Sequence, residues 1–261
     1  MAAVLSSTDP VLEARDVTRS FGGVVAVAGV SLAVRPGEIV GLIGPNGAGK
    51  TTMFDLLAGS VVPSSGTVRL NGRVVSGQPP HKRMAAGLGR TFQIPRPFPD
   101  MTLVENVMLA RGGQTGERLL ANWVMPLRVA TEERAAYDKA MSLLEFVTLT
   151  HLAQESARVL SGGQRKLLEL ARILMADPAV ILLDEPAAGV NPGLLEIIIE
   201  RIHAINARGV TFLLIEHNID MVSRLCSRVL VMASGKLIAQ GTADEVSRDQ
   251  QVIDAYLGGA P

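Results

Sequence analysis

Eight consecutive residues, Gly44-Pro45-Asn46-Gly47-Ala48-Gly49-Lys50-Thr51, fit G-x-x-x-x-G-K-[ST], a loop that holds nucleotide phosphates. Each residue type has a chemical task. The glycines let backbone N–H groups turn inward with no Cβ in the way. Lys50 offers a point charge to the β- and γ-phosphates, and the Thr51 hydroxyl can ligate Mg2+. A second group lies downstream, where Val180-Ile181-Leu182-Leu183 leads into Asp184-Glu185. Charges at the end of an apolar strand point toward the crevice where α/β sheets bind ligands. Asp184 is the candidate to organise Mg2+, which leaves Glu185 to orient or deprotonate water. A third group is Leu160-Ser161-Gly162-Gly163-Gln164. Ser161 can cap the helix that follows, and the glycines expose N–H groups at its positive end, where an anion can sit. Taken alone, this third group reads as an ordinary capped helix start.

These groups need elements to hold them. Glu38–Ile43 reads as a short buried strand and Thr52–Ala58 as a helix ending at Gly59, so the phosphate loop has its strand–loop–helix context. Val11–Thr18 and Ser31–Val34 read as strands of an antiparallel patch, and residues 66–76 as a hairpin turning at Asn71-Gly72. The three prolines of Ile94-Pro95-Arg96-Pro97-Phe98-Pro99 forbid regular structure. Helical patterns follow at Leu103–Ala110 and Thr131–Phe146, separated by a loop at Arg111–Gly116. From residue 161 helices and strands alternate: helix to Ala176, strand 179–185, helix 192–208, strand 210–216 and helix 218–226. Two short strands, Arg228–Met232 and Lys236–Ala239, turn at Ser234-Gly235, and a small helical tail closes the chain. This alternation predicts an α/β fold with a largely parallel core sheet. Residues 11–93 and 161–245 form its core and β subdomain, about 94–160 a helical subdomain, and 246–261 a tail.

Composition bounds the function. At 261 residues, one large domain or a domain with an inserted subdomain is expected. Lys plus Arg and Asp plus Glu both total 25, and aromatics are 3%, so charge and stacking capacity argue against a nucleic-acid partner. No apolar run approaches the roughly 18 residues of a membrane span. Met1 to Pro10 lacks the basic and apolar regions of a secretory signal. The single cysteine, Cys226, forms no intrachain disulfide and reads as a buried small hydrophobe. His81, His151 and His203 have no metal-like partners in sequence, and Trp123 reads as packing.

Taken in order, these motifs resemble the ATP-binding subunits of ABC transporters over nearly the whole chain. Gln93, in Arg90-Thr91-Phe92-Gln93, is similar to that family's glutamine loop. His217, in Ile215-Glu216-His217, is similar to its switch histidine, and Phe21 stands where the family stacks an aromatic on adenine, the alternative being simple packing beside Gly22-Gly23. The resemblance implies ATP and Mg2+ as cofactors and a RecA-like core. It also implies a head-to-tail pair of ATP-binding subunits, identical or related. Each ATP would lie between one chain's loop, Gly44 through Thr51 and Thr52, and the other's Ser161, Gly162, Gly163 and Gln164. Glu185 would act as general base, His217 would stabilise the γ-phosphate, and Gln93 would contact Mg2+ and water. Many members carry an aspartate where this chain has Asn191, which can hydrogen-bond but has no charge.

Within the family, Gly87–Gln93, Asp184–Pro192, Ile215–Val222 and Val252–Gly258 look like the branched-chain (hydrophobic) amino-acid uptake subfamily, a pattern partly shared by importers of urea or short amides. That resemblance implies separate transmembrane permease subunits, an extracytoplasmic solute-binding protein as indirect partner, and a place on the cytoplasmic face of the membrane. Three other readings compete: an exporter or lipid-trafficking ATPase, a soluble ABC ATPase that acts on DNA or ribosomes, and a P-loop kinase or GTPase.

Overall fold

Three five-residue strands with no polar side chain in their interiors are buried at every position: β3 (Ile39–Ile43), β7 (Val180–Asp184) and β8 (Thr211–Ile215). Strands covered on both faces belong in the middle of a parallel sheet, and that is where the computed structural model places them. It describes residues 9–91, 95–112 and 126–257. The six-stranded sheet runs β10-β9-β3-β8-β7-β6, with β6 at Leu88–Arg90, β9 at Arg228–Ala233 and β10 at Lys236–Gly241. It is parallel from β9 through β6, and only the β9–β10 hairpin is antiparallel. A second, antiparallel sheet runs β2-β1-β4-β5, formed by Leu12–Phe21 (β1), Val24–Val34 (β2), Ser65–Leu70 (β4) and Arg73–Val74 (β5). One apolar cluster joins both sheets to α1 (Lys50–Ala58), with Leu12, Leu42, Phe54, Leu56 and Leu182 fully enclosed. Each such side chain contributes about 1.5–3 kcal/mol through burial.

The chain folds into two compact units. One holds the residues up to Arg90, Ala179–Ala188 and the chain from Ile202; the other holds Thr91–Pro178 and Gly189–Arg201. The first contains both sheets. Its α1 ends at Gly59 in the left-handed region (φ 85°), and the helix's last carbonyls are taken by a fully buried arginine. Arg83, on α2 (Pro80–Ala85), donates to the carbonyls of Leu56, Leu57, Ser76 and Gln78. Burial lowers its pKa to about 10. The hairpin at Asn71-Gly72 turns as expected, with both residues at positive φ (50° and 74°).

Three features of this unit differ from the sequence expectation. Strand β2 starts at Val24 rather than Ser31, because β1 and β2 are one long hairpin across Gly22-Gly23. Helix α1 starts at Lys50, inside the phosphate loop. Helix α2 and strand β6 had no clear sequence signal.

The second unit is helical: α3 (Leu103–Met108), α4 (Pro126–Phe146), α5 (Gly162–Leu174) and the first part of α6 (Pro192–Asn206). Asn106 is fully buried. Its amide accepts from the Phe98 N–H and donates to the carbonyls of Phe98, Met101 and Thr102, which fixes the proline-dense turn. Arg172 donates to the Arg96 carbonyl, and its guanidinium lies 5.5 Å from the Phe98 ring centroid. Among the described residues no helix is long and apolar enough to cross a membrane.

Candidate nucleotide site

The turn from β3 to α1 packs so closely on neighbouring backbone that two of its positions admit no side chain. Gly44 has φ +148° and Gly49 has φ +96°; a Cβ on the first would collide with the Met232 carbonyl, and on the second with the Ala26 carbonyl. Gly49 is also the N-cap of α1, which has no side-chain cap. The first N–H groups of a helix have no acceptor within it. At the start of α1 no cap oxygen takes them, so they and the positive end of the helix dipole are left to an anion. The loop is braced from the β9–β10 turn, where the Gly235 N–H donates to Ala48 and the Ala28 N–H to Gly235.

Lys50 is buried, and its Nζ donates to the carbonyls of Gly44 (2.7 Å) and Pro45 (2.9 Å). Burial lowers its pKa, an effect that the charge of Glu185 opposes. A cavity of about 480 Å³ opens here, lined by Asn46–Thr52, Val24–Ala26, Glu185, His217, Ser234 and Gly235. Thus the sheet unit brings the phosphate loop, Glu185 and His217 together. A Gly49→Ala change is expected to destabilise the protein by about 2 kcal/mol, the scale of one strained backbone position, and to weaken nucleotide binding; thermal melting with calorimetric titration checks both.

The carboxylates arrive through strand register. Asp184 pairs with Ile215, so the residues just beyond β7 and β8 emerge side by side. Asp184 is the last residue of its strand, 7% exposed, with Oδ2 3.5 Å from the Arg90 guanidinium. Burial pushes its carboxyl pKa up and Arg90 holds it back, while Glu185 adds a further push upward. Arg90 also binds Asp55 of α1 at 2.6 Å and so ties the phosphate-loop helix to the carboxylate strand. Glu185 lies outside the strand at φ +49°, with its N–H donated to the Ile215 carbonyl at 3.0 Å. Positive φ is uncommon for a residue with a Cβ, and such strain persists only where its surroundings hold it. His217 Nε2 stands 3.4 Å from Glu185 Oε1.

The donors fit a nucleoside triphosphate: uncapped amides and one buried ammonium on a shared cavity. They also fit Mg2+ in the form that phosphates bring it. Among the described residues no cluster of three metal-ligating side chains occurs. A magnesium site made of one hydroxyl, one carboxylate and phosphate oxygens has no need of one.

The Ser161–Gln164 group lies in the helical unit. Ser161 is exposed and forms a capping box with Gln164: the Ser161 hydroxyl accepts the Gln164 N–H and the Gln164 amide accepts the Ser161 N–H. Gly162 has open space around its Cβ direction, whereas a Cβ on Gly163 would strike Leu194. A side chain at Gly162 would meet nothing, while one at Gly163 would have to turn the Leu194 side chain aside. Asn191 Oδ1 accepts the Leu194 N–H at 2.9 Å and caps the start of α6, a task asparagine performs as well as aspartate. Phe21 is 45% exposed at the end of β1, with the Arg19 guanidinium 4.6 Å from its ring centroid, and it does not line the cavity. Gln93 and Trp123 lie outside the described residues. Cys226 is partly buried, and burial, reinforced by Glu216, pushes its thiol pKa to about 12.

Four contributors were not legible as such in sequence. Val24–Ala26 line the cavity from β2; the Gly22-Gly23 turn was the available signal for that strand. Arg90 was visible only as a neighbour of Gln93. Glu216 was visible only as a neighbour of His217. Tyr256, on α9 (Gln250–Leu257), accepts a hydrogen bond from the Gly44 N–H, and burial raises its pKa against that bond; nothing local announces such a contact.

Comparison with known proteins agrees with this architecture. The ABC transporter family matches residues 27–188, well over half of the chain. The chain belongs to the ABC transporter family. The C-terminal stretch 236–261 of the cassette separately matches a family described as branched-chain amino acid ATP-binding cassette transporter. The cassette is 41% identical over 254 residues, 96% of its own length and 99% of the relative's, to the high-affinity branched-chain amino acid transport ATP-binding protein BraF of Pseudomonas aeruginosa. It is 39% identical over 248 residues, 95% of each chain, to the probable branched-chain amino acid transport ATP-binding protein LivG of Archaeoglobus fulgidus. Among solved structures, a nucleotide-free ATP-binding cassette from an ABC transporter superposes with a TM-score of 0.82 at 35% identity, covering 94% of this chain and 98% of that one.

Proposed function

We propose that this cassette hydrolyses ATP to drive the import of branched-chain or other hydrophobic amino acids. The observation that carries the reading is the convergence of an uncapped phosphate loop, the strained Glu185 and His217 on one cavity, in a chain whose full-length relatives are named as branched-chain amino acid transport ATP-binding proteins. Lys50 and the first amides of α1 hold the phosphates. Asp184 and the Thr51 hydroxyl, with Gln93, place Mg2+, which supplies charge neutralisation on the phosphate oxygens. Glu185 orients and deprotonates the attacking water, and His217 holds Glu185 in register and faces the γ-phosphate. Catalysis of this kind is mainly positioning and electrostatics. Phe21 offers its exposed ring to adenine.

Two such chains, or this chain and a related one, pair head to tail, and the exposed Ser161-Gly162 turn of each completes the other's site. Transmembrane permease subunits supply the pore and hold the cassette at the cytoplasmic face, with an extracytoplasmic solute-binding protein delivering the solute. The Pro95–Pro99 turn, with Phe98 half-exposed, is the surface offered to a permease helix.

Deletion of this chain in its own host should abolish uptake of labelled leucine, isoleucine and valine. The intact chain should restore it and a Glu185→Gln chain should not. Unchanged uptake contradicts the reading, and loss of urea or amide uptake in its place would assign the cassette to that importer class.

A further inference from the structure

We infer that Glu216 is the positioning residue that sets the Glu185–His217 pair, an inference that rests on the hydrolytic reading above. Glu216 follows β8 directly and is 3% exposed. A buried carboxylate is costly unless hydrogen bonds satisfy it. Here Oε1 accepts the Ala187 N–H at 2.6 Å, while Oε2 accepts the N–H groups of His217 (2.9 Å) and Asn218 (3.0 Å). The first oxygen thus grips the segment that leaves β7 two residues after Glu185. The second grips the segment that carries His217 into α7 (Ile219–Leu225), whose N-cap is Asn218.

The backbone of Glu185 is consequently held from the β8 side at both ends. Its own N–H goes to the Ile215 carbonyl, and the Ala187 N–H goes to Glu216. This is the surrounding that keeps a residue with a Cβ at φ +49°. Because both oxygens accept only N–H groups, the isosteric amide cannot replace the carboxylate. Whichever way a glutamine turns, its NH2 faces a donor and one of the two segments is released.

Glu216→Gln should lower kcat about tenfold and leave the ATP KM within about twofold, because the phosphate loop is untouched. The deciding readout is a double-mutant cycle with His217→Ala. In the His217→Ala background, Glu216→Gln should change the residual kcat by less than about twofold, since the geometry it protects is already lost. Equal costs in both backgrounds would reduce Glu216 to a general stabiliser and overturn the inference. If Glu216→Gln does not fold, Glu216→Asp, which keeps the charge but withdraws it by one methylene, should give the same pattern in the same cycle. The two levels separate cleanly. Should the parent chain itself show no ATP turnover, the hydrolytic reading fails; should it turn ATP over while His217→Ala shows no loss or no coupling to Glu216, only the present inference fails.

Discussion

Glu185→Gln is expected to bind ATP with an affinity within about threefold of the parent while kcat falls by at least about 100-fold, the lower end of what a positioned general base contributes. The geometry explains why the two quantities separate. In the proposed site Lys50 and the α1 amides bind the phosphates, whereas Glu185 lines the same cavity from the end of β7. Its carboxylate is fixed by a strained backbone and by the neighbouring imidazole. The amide keeps the shape and loses the basicity. Single-turnover hydrolysis alongside nucleotide titration checks this, and with ATP the variant should also accumulate as a dimer on sizing. Retained turnover would remove Glu185 as the base.

Lys50→Ala should act at the other half of the separation and weaken ATP binding by about 30- to 100-fold, the scale of one or two charge-assisted hydrogen bonds. The ammonium is enclosed, and its position is set by the Gly44 and Pro45 carbonyls of the loop itself. Arginine should not substitute. A planar, forked guanidinium cannot take the place of a compact point charge in a hollow whose walls are backbone. Calorimetric titration of Lys50→Ala and Lys50→Arg with ATP measures both, and near-parental affinity in either would show that the loop amides suffice.

How far the sequence could be read varied with the locality of the signal. The β3–loop–α1 passage was legible because a fully apolar strand and fixed glycine spacing leave few other conformations. The Asn71-Gly72 hairpin was legible because two successive positive-φ positions ask for those residues. Helix α2 was not: it is six residues long, and its stability rests on the burial of Arg83 against carbonyls of other segments. Strand β6 is three residues of an already parallel sheet and carries no periodicity of its own. Within the site, Lys50 could be named from motif spacing and Asp184 and Glu185 from the apolar strand that precedes them, whereas His217 was named only through the family resemblance. Glu216 could not, because its acceptor role depends on the Ala187 amide, brought to it by the β7–β8 register.

Under the proposed pairing one chain carries halves of two different sites: the phosphate loop of its own, and the Ser161–Gln164 turn for its partner's. Lys50→Ala and Ser161→Arg, each purified alone, should hydrolyse ATP at no more than a few per cent of the parental rate. Mixed in equal amounts, they form pairs in which one site has an intact loop from the Ser161→Arg chain and an intact Ser161 from the Lys50→Ala chain. The steady-state ATPase rate of that mixture is the direct test. It should rise several-fold above the sum of the separate rates; a mixture that hydrolyses no faster than that sum at any ratio would rule out shared sites.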